Sequence, residues 1–146
     1  MNFANNSLTR AFNTEVYIQD ISQTLNMNTS FAEQNLPGKT QFEGLDIIGC
    51  KEGNTTPSEA LYNLDMKEFF NHLKQSYDFV LVEGPALNNF ADSRELAQFV
   101  EGIFTVYSAD ASMTQVDLES MRFISDLKAK NHGVILNRVL TENINS

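Results

Sequence analysis

Phe79-Val80-Leu81-Val82 places four apolar residues in a row, between Asp78 and the turn signal Glu83-Gly84-Pro85. A run that short and that apolar reads as a strand buried on both faces. Such a strand needs neighbours at its edges and helices above and below it. The run therefore constrains the chain to an α/β architecture. It also says where chemistry would gather, because ligands of open parallel sheets sit beyond the carboxyl ends of the strands. Glu83 stands at such an end.

Short apolar runs recur along the chain. Val16–Gln19, Leu45–Ile48, Ile103–Tyr107 and Gly133–Val139 each read as a strand. Helical patterns fall between them. Residues 1–13 carry Phe3, Leu8 and Phe12 at roughly helical spacing. A helix opened by Pro57 runs to about Gln75, with Leu61, Leu64, Phe69 and Leu73 on its apolar face. Another spans about Asp92–Phe99. A third covers 112–130, where Val116, Met121, Ile124 and Leu127 approach the i, i+4, i+7 pattern. Residues 21–41 are rich in Asn, Gln, Ser and Thr and read as a polar excursion, and 141–146 as a polar tail. The alternation predicts one domain over 1–146: a mostly parallel sheet of about five strands, flanked by helices on both faces.

Charge narrows the function. With 19 acidic against 10 basic residues the net charge is −9, which argues against a nucleic-acid surface and against docking on anionic lipid. No apolar stretch approaches the ~18 residues of a membrane span, and no leader-like segment opens the sequence, so the expected location is the cytoplasm. One cysteine and two histidines give neither an internal disulfide nor a zinc spacing. No metal site is expected.

Four segments in order resemble the bacterial tyrosine autokinases of capsule and exopolysaccharide export, a branch of the P-loop ATPases related to MinD and ParA. LDIIGCKEGNTTPSEAL (45–61) resembles that family's strand, Gly-containing loop and Pro-Ser/Ala-Glu-Leu helix. YDFVLVEGPALNNFADSRELA (77–97) resembles its hydrophobic strand, Asp-Thr-Pro-Pro turn and following helix. EGIFTVYSADAS (101–112) and GVILNRV (133–139) resemble its later strands. The resemblance covers roughly residues 16–139. It implies a P-loop-NTPase-like fold, with Asp20 and Glu83 at positions that would bind or orient Mg²⁺ and the attacking oxygen, and Asn137 near the adenine.

The departures from the pattern are specific. The first strand and the Gly-Lys-Ser/Thr phosphate loop would lie before Met1. The second Asp of the family's Asp-X-Asp is Ser22, leaving Asp20. The Asp of the turn is Glu83, one methylene longer, and Gly84 and Ala86 replace its Thr and second Pro. No tyrosine follows Asn137. PGKT (37–40) has the order Gly38-Lys39-Thr40, but Glu33 stands where the motif's first glycine belongs, so a surface turn is the better reading. For Asp20 the bland reading is a strand-end cap, and for Glu83 a carboxylate satisfying nearby backbone N–H groups. Arg94 and Arg138 read as surface ion-pair partners, Cys50 as buried, and His72 and His132 as surface residues.

These departures imply a non-catalytic relative of the autokinase domain, a binding or regulatory module in polysaccharide biosynthesis and export. No cofactor is expected. Its expected partner is a membrane chain-length (co-polymerase) protein or an active autokinase, which would hold it at the inner face of the membrane. An uncovered sheet edge would allow a homo-oligomer. The alternative is an ATPase or tyrosine-kinase fragment that binds Mg-ATP through a phosphate loop upstream of Met1.

Overall fold

The computed structural model describes residues 6–25, 37–53, 62, 64–87 and 92–140. Helix α1, Ser7–Phe12, stops where Asn13 turns left-handed (φ 48°, ψ 43°) and its N–H returns to the carbonyls of Thr9 and Arg10. Helix α2 spans Ile18–Leu25. Strand β1, Gly38–Lys39, pairs antiparallel with β2, Asp46–Ile47. Helix α3 covers Met66–Ser76, and Asp65 caps it by accepting from the Glu68 N–H at 3.0 Å. Helix α4 is Asp92–Leu96. Strand β3, Ile103–Ser108, leads into helix α5, Gln115–Asp126, which opens on a reciprocal capping box between Thr114 and Asp117. A 3₁₀ turn, Lys128–Lys130, delivers the chain to β4, Asn131–Asn137, parallel to β3.

The core lies in the first half of the chain. Ile18, Ile21, Phe69, Phe70 and Leu73 are buried together with Cys50 and Leu64. Phe69 and Phe70 are ring neighbours at 5.6 Å, and Phe70 stacks on Phe99 at 6.0 Å. Gly49 sits where a Cβ would meet the methyls of Thr9 and Thr14 at 2.7 Å, so only glycine lets this backbone pass so close.

The sequence reading holds in part: helices alternate with strands, and β3 and β4 form a parallel pair. The sheet of about five strands is reduced, among the described residues, to that pair, the short β1–β2 hairpin and one parallel bridge between Tyr17 and Gly49. Val16–Gln19 is not a strand beyond that bridge. Ile18, Ile21 and Ser22 are all buried, and spacings of three and four close one face of a helix, so the chain turns helical at Ile18. Ile21–Leu25 is thus helix, buried at Ile21 and Ser22, rather than the start of a polar excursion; 26–36 lie outside the described residues. The helix expected from Pro57 begins at Met66 because Asp65 is extended (φ −68°, ψ 98°) as its cap; 54–61 lie outside the described residues, as do 1–5 and 141–146.

Phe79–Val82 departs furthest. It pairs with no strand among the described residues. Val80 and Val82 pack against the core, but Phe79 is 86% exposed and Leu81 92%. The run is buried on one face only.

Candidate functional site

Glu83 closes the 79–82 segment and is half-buried. The turn after it is pinned from a distance: Ser93 Oγ, at the start of α4, donates to the Pro85 carbonyl at 2.6 Å, and Pro85 is buried. A Cβ on Gly84 would meet Ser93 Oγ at 2.9 Å, so the same serine explains the glycine. Sequence reasoning placed Ser93 only inside the helix expected over about Asp92–Phe99. Nothing in its spacing signals a bond across eight residues.

Asp20 sits in the first turn of α2, where a carboxylate faces the positive end of the helix dipole. It is ion-paired to Lys51. The lysine is held in place twice more: its backbone N–H and C=O both bond the Gln19 amide at 3.0 Å, and its ammonium lies 5.4 Å from the centre of the Tyr17 ring. Asp20 thus caps no strand end.

PGKT forms part of a hairpin. Gly38–Lys39 is β1, and Thr40 Oγ1 donates to the Leu45 carbonyl at 2.6 Å and accepts from the Phe42 N–H at 3.1 Å. Lys39 Nζ meets Asp46 Oδ2 at 2.6 Å. The same oxygen accepts from the Tyr77 hydroxyl at 2.6 Å. Lys39 first, and then Tyr77, hold the Asp46 carboxyl below its usual range, although burial opposes them. Burial and the Asp46 bond push Tyr77 up to about 12. This triad ties the hairpin to the end of α3 across 31 residues, which no local pattern foretells.

Asn137 stands at the carboxyl end of β4. Its carbonyl accepts from the Ala109 N–H, and its Oδ1 from the Arg138 N–H, both at 2.8 Å. Arg138, in the left-handed region (φ 57°), reaches Asp110 at 3.2 Å, and Ser108 also donates to Asp110. Ser108 first, then Arg138, hold the Asp110 carboxyl low. Arg138 is thus a surface ion-pair partner. Arg94 instead lies over the Phe123 ring, 5.0 Å from its centre.

Cys50 is buried, and its main chain is held by Thr9 Oγ1 (accepting from N–H at 2.9 Å) and by Asn6 Nδ2 (donating to C=O at 3.3 Å). His132 is exposed, 5.8 Å from the Phe104 ring centre, whereas His72 is half-buried on α3.

The three positions suggested by the resemblance do not converge on a cavity. Glu83 borders both the hollow beneath α1 and α3 and a groove beside β3, while Asp20 and Asn137 line neither. That groove, about 1270 Å³, runs between residues 77–87 and the whole of β3, over α4 and α5. Among the described residues no three His, Cys, Asp or Glu side chains group as a metal site. No described helix is long and apolar enough to cross a membrane.

No protein-family model matches the chain. It is distantly similar to two bacterial proteins named as tyrosine-protein kinases. With CapB of Staphylococcus aureus it shares 23% identity over 101 residues, 69% of this chain and 44% of CapB. With AmsA of Erwinia amylovora it shares 29% over 107 residues, 70% of this chain and 14% of AmsA. The chain therefore spans less than half the length of either relative, and what it has in common with them is a weak homology to capsule tyrosine-protein kinases over about 70% of its length.

Proposed function

We propose that this chain is a non-catalytic relative of the capsular and exopolysaccharide tyrosine-kinase domain, acting as a binding or regulatory module in polysaccharide biosynthesis and export. The similarity to CapB and AmsA supports the kinship. The observation that carries the non-catalytic half is where the charged groups are spent. Asp20 is tied to Lys51, and Lys39 to Asp46. A triphosphate with magnesium needs a lysine, a hydroxyl and a cradle of N–H groups in one place. The described residues do not fit that requirement: Thr40 is folded onto its own hairpin, and Asp20 stands away from the groove that Glu83 borders.

In this reading the fold is P-loop-NTPase-like, with 79–82 as a strand of a parallel sheet of about five. The partner is a membrane chain-length protein or an active autokinase, which holds the module at the inner face of the membrane. Calorimetry with Mg-ATP and Mg-ADP tests it. The expected result is no binding tighter than millimolar; micromolar affinity overturns the reading.

One observation favours a second reading. The chain matches 44% of one relative and 14% of the other, so it can equally be a piece of an ATPase or tyrosine kinase whose phosphate loop precedes residue 1. Calorimetry on a protein extended by the upstream in-frame codons separates the two readings, since only the second expects binding there.

A further inference from the structure

The β1–β2 hairpin holds itself together weakly. Its ladder is two residue pairs long, Gly38 with Ile47 and Lys39 with Asp46, and an isolated two-stranded hairpin is marginal in water even when longer. Apolar burial adds little, since Phe42 is 53% exposed and Leu45 42%. What the hairpin does bury is a charge: the Asp46 side chain is 8% exposed.

Two groups compensate that charge. Lys39 Nζ and the Tyr77 hydroxyl meet the same carboxylate oxygen, each at 2.6 Å. The two are not equivalent. Lys39 belongs to the hairpin, is 83% exposed at its side chain and travels with Asp46. Tyr77 stays with α3, where its N–H donates to the Leu73 carbonyl at 3.0 Å. Among the described residues the Tyr77 hydroxyl makes the one hydrogen bond that ties 38–47 to the rest of the molecule. The other supports are packing contacts: the Phe12–Phe42 ring pair at 6.4 Å, and Gly38 pressed against Thr14 and Val16. Beyond Ile48 the chain is fixed again. Gly49 donates to the Val16 carbonyl at 2.8 Å and accepts from the Ile18 N–H at 2.9 Å, and Thr9 Oγ1 holds the Cys50 N–H.

A buried carboxylate that loses a donor keeps its desolvation cost, so the loss exceeds the value of the bond alone. Water is the replacement partner, and water reaches Asp46 when the hairpin moves. We propose that residues 38–47 form a strap latched by Tyr77, which lifts as one unit, up to Gly49, when the hydroxyl no longer donates to Asp46, while the core beneath stays folded. Closed, the strap supplies Asp46 and Ile47 to the wall of the hollow beneath α1 and α3, so lifting it opens that hollow on one side. This goes beyond the module reading and does not rest on it.

Hydrogen exchange of the full chain, read by mass spectrometry, tests the strap. Tyr77→Phe keeps the ring and removes the donor. Exchange over 38–47 should accelerate about tenfold or more, with α2, α3 and Gly49–Cys50 unchanged. A second substitution separates hydration of the charge from loss of a contact. Asp46→Asn keeps the shape and removes the charge, so adding it to Tyr77→Phe should return most of the lost protection although it restores no bond. Equal acceleration in α3 overturns the proposal, because strap and core then open together. So does an unchanged rate over 38–47 in Tyr77→Phe, or a double variant that exchanges there as fast as Tyr77→Phe alone.

Discussion

Phe69 and Leu81 are both large apolar side chains a dozen residues apart, yet one is 2% exposed and the other 92%. The contrast extends to their surroundings. Around Phe69, α2 and α3 close on each other, and polar links finish the job: Thr9 and Asn6 on Cys50, Tyr77 and Lys39 on Asp46. Around Leu81, the strands carry equal hydrophobicity but little cover. Phe104 is 62% exposed and Val106 60%, on a strand pair whose register runs unbroken from Phe104 to Ser108. Sequence composition sets how much a region could bury; a neighbour decides how much it does.

Mutation should break the molecule very unevenly along that divide. The largest effect is expected at Phe69→Ala. It removes a fully buried ring beside Phe70 and leaves a cavity, so urea unfolding should show a loss of about 3–5 kcal/mol. A loss below ~1 kcal/mol would mean that the first half is no better packed than the second.

Next comes Tyr77→Phe, which strips one donor from the Asp46 carboxylate; hydrogen bonds to charged groups contribute about 1.5–3 kcal/mol. Its pH dependence is sharper than its size. Tyr77 is raised from 10.0 to about 12 in the folded protein, so its contribution is complete below pH 10 and lost as pH climbs through 12. The stability gap between wild type and Tyr77→Phe should therefore narrow over that window. Asp46 is lowered, so its contribution is present above its unfolded value near 3.8 and fades as pH falls below it. Urea midpoints measured across both windows check the two signs.

How much of this was legible beforehand depends on where the partner of each residue lies. IFTVYS and NHGVILN announce β3 and β4, because continuous apolar runs have few other uses. Phe69, Phe70 and Leu73 announce the packed face of α3. VYIQ misleads because its β-branched and aromatic residues favour a strand locally, while Ile18 and Ile21 are buried in one cluster with Phe69, Phe70 and Leu73 of α3, far along the chain. FVLV misleads in the opposite way: the run says what the segment could bury, and the structure gives it cover on one face. At the candidate site the Glu83-Gly84-Pro85 turn was readable. The Ser93 pin, the Asp46 triad and the Lys51 pairing of Asp20 were not, since each joins residues that only folding brings together.

A smaller effect is expected in α5, which sits on the sparse side of the divide. Thr114→Ala removes the capping box that accepts the Asp117 N–H, and such caps are worth about 1 kcal/mol. Because Val116, Leu118 and Met121 are all more than 40% exposed, little tertiary packing compensates. Hydrogen exchange should accelerate across Gln115–Asp126 with little change in α3. Equal acceleration in α3 would show that the two regions unfold as one unit.

The smallest effect is expected at Leu81→Ser, and its smallness is the point. A side chain already 92% exposed has almost nothing to lose in transfer free energy, so the urea midpoint should stay within about 0.5 kcal/mol of wild type. The same substitution made in a buried strand would cost several times that. A loss of 2 kcal/mol or so in the isolated protein would place Leu81 against a neighbour in the free state and remove the contrast with Phe69.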